Sequence, residues 1–119
     1  MKTQKESVFQ RKVVSWLKSL PKCRYFVKEA KSIRGIADII GCINGLHFEL
    51  EVKKSIKEIQ GSTGRHILQD IELHRCREAG GFGAFVYPEN FEEIKKLLLN
   101  LSSATYKLSP ISPISFLIS

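Results

Sequence analysis

Gly35-Ile36-Ala37-Asp38 is followed, after a short turn signal, by Glu51-Val52-Lys53. One acidic residue falls on one predicted strand and an acid–lysine pair on the next. Two carboxylates and an ammonium brought together in this way suit a divalent cation and a water held against a phosphodiester. Hydrolysing that ester requires a nucleophilic water, a neutraliser for developing negative charge and help for the leaving oxygen. Mg²⁺ or Mn²⁺ supplies all three by lowering the pKa of water and polarising the phosphoryl oxygen. Mg²⁺ takes hard oxygen ligands and keeps several waters. Asp38 and Glu51 are the natural carboxylate ligands, and the Val52 carbonyl is a third candidate. Lys53 suits the orientation of the water and the stabilisation of charge on a pentacovalent phosphorane.

The competing interpretation is a solvated strand face, since an isolated Glu-x-Lys is a weak signal. Two features count against it. Asp38 sits among Ile36, Ile39 and Ile40, where a lone carboxylate is costly to bury without a partner. Asn44-Gly45 is a strong two-residue hairpin signal, because both residues tolerate positive φ. It joins the two strands that carry the acids. Glu49 shares the face of Glu51, but only Glu51 stands two residues before Lys53, so Glu49 is read as a surrounding surface charge.

The elements that must position these groups follow from periodicity. Val8, Phe9, Val13, Trp16, Leu17 and Leu20 recur at helical spacing over 6–20, with Thr3 and Glu6 suited to a capping box and Pro21 as the stop. Strands are expected over 24–30, 36–43 and 46–53. In the last of these Phe48, Leu50 and Val52 face one way, and His47, Glu49, Glu51 and Lys53 the other. Residues 54–64 are polar and end in Gly61-Ser62-Thr63-Gly64, which predicts a mobile loop. A helix over 65–79 carries Ile67, Leu68, Ile71, Leu73 and Cys76 and stops at Gly80-Gly81. A strand over 82–87 and a helix over 91–101, capped by Asn90, complete the order αβββαβα. Three consecutive strands form a meander, and the helix before the fourth allows a crossover, so the fold class is α/β with a mixed central sheet flanked by helices. Residues 1–101 then form one domain. Ser, Pro and Ile dominate 102–119, which predicts a poorly ordered tail.

At 119 residues there is room for one small core. The net charge of +7 favours polyanionic partners, although many basic proteins touch no nucleic acid, so charge alone carries little. Three widely spaced cysteines, Cys23, Cys42 and Cys76, argue against a disulfide framework and show no zinc-binding spacing with His47, His66 or His74. A reduced, cytoplasmic setting is expected. No signal-peptide run opens the chain and no apolar segment is long enough to span a membrane.

Gly35-Ile36-Ala37-Asp38, Glu51-Val52-Lys53 and Gln69 on the following helix together resemble the PD-(D/E)XK nuclease superfamily. Within it, Ile33-Arg34-Gly35, Ile39-Ile40-Gly41 and Glu78-Ala79-Gly80-Gly81 are similar to the VRR-NUC branch, especially short stand-alone phage versions. Direct motif matching spans Ser32 to Val86, roughly half of the chain. The resemblance implies a restriction-endonuclease-like core and Mg²⁺- or Mn²⁺-dependent DNA cleavage. It implies metal binding at Asp38 and Glu51, catalysis by Lys53, and support of the site by Gln69. Glu6 is similar to an acidic residue that many members turn toward the metal; it is equally a helix-start carboxylate favoured by the dipole. The pattern departs at Ala37, where proline is usual.

Arg34, Lys54 and Arg65 flank the acidic pair at strand and loop ends, which suits phosphate contacts. Short relatives suggest a homodimer acting on branched DNA such as Holliday junctions, because two opposed cuts need two sites. A nuclease for flaps, single strands or ends, and a non-catalytic nucleic-acid-binding module, are the alternatives.

Overall fold

The computed structural model describes residues 3–29, 35–60 and 67–105. The element order is α1 (Gln4–Ser19), β1 (Cys23–Val27), β2 (Ile39–Ile43), β3 (Leu46–Val52), α2 (Ile56–Gln60), α3 (Ile67–Glu78), β4 (Phe82–Val86) and α4 (Phe91–Thr105). A 3₁₀ turn, Pro88–Asn90, leads into α4. The four strands form one sheet in the order β1-β2-β3-β4. β1 with β2 and β2 with β3 are antiparallel, and β3 with β4 is parallel. The chain is therefore a mixed α/β fold with a mixed sheet and flanking helices.

Alternation along β3 divides the molecule. Phe48, Leu50 and Val52 are fully buried in a core with Phe9, Val13 and Leu17 of α1 and Ile94 and Leu98 of α4. Phe9, Val13 and Leu17 lie at four-residue steps, so one stripe of α1 meets the sheet. Phe9 and Trp16 pack edge-on against Phe91, with ring centroids 5.4 and 6.0 Å apart, which ties α1 to the start of α4.

α3 covers the other face. A Cβ on Gly83 would stand 2.6 Å from the Leu73 carbonyl oxygen, so the missing side chain is what lets α3 lie close on β4. Only Leu73 and Cys76 of α3 are buried. Ile67, Leu68 and Ile71 are exposed, although their spacing predicts burial.

Four expectations need correction. The second strand begins at Ile39 and not at Ile36, so Asp38 sits in the bend just before it. The segment 54–64 contains the short helix α2 in place of continuous loop. Ser55 and Glu58 have capping-box spacing, and the Lys54 N–H donates to Glu58 Oε2 at 3.0 Å, holding the first turn. Asn90 is not the residue that caps α4. Its amide accepts from the Tyr87 N–H and donates to the Phe85 carbonyl, which fixes the 3₁₀ turn instead. α4 continues past Leu101, because Ser102 prolongs the stripe of Ile94 and Leu98, is buried, and donates its hydroxyl to the Leu99 carbonyl at 2.9 Å.

Thr3 accepts from the Glu6 N–H at 3.1 Å and caps α1. Asn44 and Gly45 have φ of 49° and 86°, as a primed two-residue hairpin requires. Among the described residues no helix is long and apolar enough to cross a membrane.

Gly41 is where β2 accommodates the Phe48 ring. An added Cβ would lie 2.4 Å from Phe48 Cζ and 2.3 Å from the Arg24 carbonyl oxygen. Since backbone on one side and a packed ring on the other leave no room, Gly41→Ala is expected to lower stability by about 1–3 kcal/mol. Urea denaturation reads this as a lower midpoint at unchanged slope.

Candidate active site

The β2–β3 hairpin runs in a register that pairs Ile39 with Leu50. One step further out, Asp38 and Glu51 face each other. The Asp38 N–H donates to Glu51 Oε1 at 3.0 Å, and the Val52 N–H donates to Asp38 Oδ2 at 2.8 Å. Each carboxylate is thus held by the backbone of the opposite strand. Asp38 is 4% exposed and Glu51 is 3% exposed.

Lys53 follows directly and is equally buried. Its N–H donates to the Val86 carbonyl at 2.9 Å, which continues the parallel ladder and fixes the base of the side chain. Its ammonium donates to Gln69 Oε1 at 3.1 Å, lies 3.7 Å from Glu51 Oε2, and sits 5.9 Å from the centre of the Phe85 ring. Two carboxylates, an ammonium and an amide therefore converge from the hairpin, the end of β3 and α3. Lys28 approaches from β1's end, donating to the Ile36 carbonyl at 3.0 Å.

The electrostatics are those of a crowded acid pair. Burial, and then the neighbouring negative charge of Asp38, push the Glu51 carboxyl up to about 7, against the opposing pull of Lys53 and Lys28. A divalent cation bound between Asp38 and Glu51 would compete with that proton and favour the ionised carboxylate. The carboxylates of Asp38 and Glu51 offer oxygen donors, which suits Mg²⁺ or Mn²⁺.

Glu6 is buried in the first turn of α1, on the helix that packs against the Phe48 face of the sheet. Lys54 is exposed. Arg34 and Arg65 lie outside the described residues.

Sequence reasoning overlooked two further features. Lys54, with Lys5, Val8, Phe9 and Lys12 of α1 and Phe91 of α4, lines a groove of about 550 Å³ beside the end of β3. Lys5 and Lys12 are seven residues apart on one helix face, a signal visible in the sequence once α1 is drawn as a helix. On the α3 face, His47, Glu49 and Cys76 place their ligand atoms within 4.8 Å of one another. That cluster joins a strand to a helix, so no local spacing reveals it.

Set beside protein-family models, curated proteins and solved structures, the chain matches none.

The Glu51 carboxyl fixes a pH dependence. Its pKa is raised from 4.5 to about 7 in the folded chain, so the folded state binds the proton more tightly than the unfolded state. The stability it contributes is present below pH 4.5 and is lost as pH rises toward 7, by roughly 3 kcal/mol in all. In EDTA, Glu51→Gln, which keeps the acceptor and mimics the protonated acid, is expected to flatten this fall and to melt above the wild type at pH 8. Thermal melts from pH 4 to 9 measure both effects.

Proposed function

We propose that the chain is a small metal-dependent nuclease with a restriction-endonuclease-like core, of the PD-(D/E)XK type and similar to its VRR-NUC branch. The observation that carries this reading is the mutual hold of Asp38 and Glu51 with Lys53 beside them. Strand-to-strand hydrogen bonding of two buried carboxylates stores an electrostatic cost that a cation relieves, which a solvated surface pair would not do.

In this reading Asp38, Glu51 and the Val52 carbonyl hold Mg²⁺ or Mn²⁺, and Glu6 contributes through α1. The cation supplies an activated water and charge neutralisation at the phosphoryl group when bound. Lys53 stabilises the negative charge that develops on the phosphoryl oxygens. Gln69 holds the Lys53 ammonium in place from α3 by accepting its hydrogen bond. Phe85 backs the same ammonium with an aromatic face. Lys54, Arg34 and Arg65 contact phosphates along the substrate, and Lys5 and Lys12 extend that basic track over the groove.

DNA is the proposed substrate, bound by shape and backbone since the described residues present no base-reading module. A homodimer cutting branched DNA, as a Holliday-junction resolvase does, fits the exposed apolar residues Ile67, Leu68 and Ile71 on α3. This step is analogy from the fold proposed. A flap, single-strand or end-directed nuclease uses the same chemistry on one site. The burial of Asp38, Glu51 and Lys53 favours a second reading, a nucleic-acid-binding module whose polar cluster is structural and does not turn over.

The deciding experiment incubates wild type and Lys53→Ala with labelled duplex, single-stranded, flap and four-way-junction DNA in Mg²⁺, Mn²⁺ or EDTA. Wild type is expected to cut in metal alone, with Lys53→Ala slower by about 100-fold or more. Paired cuts in junctions by a dimer support the resolvase. A protein that stays monomeric at micromolar concentration with and without junction DNA removes it. Binding without cleavage in either metal establishes the non-catalytic module.

The basic groove makes a separate prediction. Lys5→Ala and Lys12→Ala are expected to weaken binding equally across DNA sequences and to lower the salt slope by about 1 each, as measured by fluorescence anisotropy over a range of KCl. An unchanged slope would place the phosphates elsewhere.

A further inference from the structure

The cluster on the α3 face begins two residues from Glu51 on the same side of β3 but has a different chemistry. His47 Nε2 stands 2.7 Å from Glu49 Oε2. Cys76 approaches Glu49 from α3, and the three ligand atoms all fall within 4.8 Å of one another. They offer one nitrogen, one oxygen and one sulfur. That mixture suits Zn²⁺ and not Mg²⁺, which prefers oxygen alone.

We infer that His47, Glu49 and Cys76 form a Zn²⁺ site that staples α3 to β3, with its fourth position open to solvent.

Four arguments support it. Zn²⁺ bonds of about 2.0–2.3 Å put tetrahedral ligands about 3.3–3.8 Å apart, within the separation observed. His47 is the pair that must widen, and its side chain is 51% exposed, so it can turn without disturbing the core. Cys76 is buried and Glu49 half-buried, so the cluster has a dry floor and one wet side through which a cation enters. The cluster also spans two elements: His47 and Glu49 sit on β3, and Cys76 on the helix above. Burial pushes the Cys76 thiol up to about 11, yet a coordinating zinc removes such a proton outright.

The consequence is positional. Gln69, Leu73 and Cys76 lie along one side of α3, and Gln69 is two turns, about 10 Å, from Cys76. Fixing Cys76 to β3 fixes the height at which Gln69 meets Lys53. The inference does not rest on the nuclease reading, because zinc binding is measured without DNA.

The test uses Co²⁺ as a spectroscopic substitute for Zn²⁺. Cys42 stands directly opposite His47 in the β2–β3 register and is exposed, and Cys23 is half-buried, so both are removed first. In Cys23→Ala/Cys42→Ser protein, Cys76 is the sole thiol. Co²⁺ should then give a near-ultraviolet thiolate-to-cobalt charge-transfer band that equimolar Zn²⁺ abolishes and millimolar Mg²⁺ leaves intact. His47→Ala changes an exposed side chain and leaves the core alone; in that background it should weaken Co²⁺ binding at least tenfold. Zn²⁺ should raise the melting temperature of the background protein and not that of its His47→Ala derivative. No thiolate band in the folded background protein, or a band of unchanged affinity after His47→Ala, would overturn the site.

Discussion

The register of one hairpin governs the chemistry of this chain. Asn44 and Gly45 both take positive φ, which closes β2 onto β3 with a two-residue turn and leaves no freedom in the pairing. Counting outward from that turn brings Asp38 level with Glu51. A slip of one residue would carry Glu51 to the Phe48 face and place a charge in the core, while Phe48 and Leu50 would turn toward α3. The apolar stripe and the acidic pair therefore enforce the same register. The hydrophobic core holds the acids together at a distance they would not choose.

That proximity has an electrostatic cost, and the surrounding elements are arranged around it. Neither Asp38 nor Glu51 is buried without a donor, because each accepts a backbone N–H from the opposite strand. Lys53 opposes their charge but is drawn partly to Gln69, 3.1 Å away, and stands farther from Glu51 at 3.7 Å. Burial first, and then the nearby charge of Asp38, raise the Glu51 pKa more than Lys53 and Lys28 lower it. Gly83 lets Leu73 and Cys76 of α3, the helix that also carries Gln69, lie close on β4.

The sequence makes the sheet legible because alternation and turn chemistry act locally. Phe48, Leu50 and Val52 announce the buried face, and Asn44-Gly45 the hairpin, so the facing of Asp38 and Glu51 follows from counting. α3 was harder to read. Ile67, Leu68 and Ile71 have helical spacing but lie at the end of the helix farther from its packed turns, where Leu73 and Cys76 make the contact with the sheet. Periodicity reports which residues share a side, not how much of the helix the sheet is wide enough to cover. α2 leaves little periodic signal, because a helix of one turn depends on capping more than on periodicity. The end of α4 is hidden in the sequence because Ser102 is polar and occupies a buried position through its hydrogen bond to Leu99. The His47–Glu49–Cys76 cluster depends on long-range packing of a helix on a strand, which spacing along the chain does not encode.

The end of β3 is where two surfaces meet. Lys53 and Lys54 are consecutive, and an extended chain sends consecutive side chains to opposite sides. Lys53 turns under α3 to Gln69, whereas Lys54 lines the groove with Lys5, Lys12 and Phe91 on the α1 and α4 side. One step of backbone thus separates a buried ammonium beside two carboxylates from an exposed ammonium on a basic track. The Lys53 N–H bond to Val86 and the Lys54 N–H bond to Glu58 hold that step at both of its residues, anchoring it to β4 and to α2. In the proposed nuclease, a polyanion held along the groove by its phosphates would lie one residue along the chain from Lys53. On that reading the carboxylates would repel a phosphate approaching alone, and the lysines on the groove side would offset the repulsion along the approach.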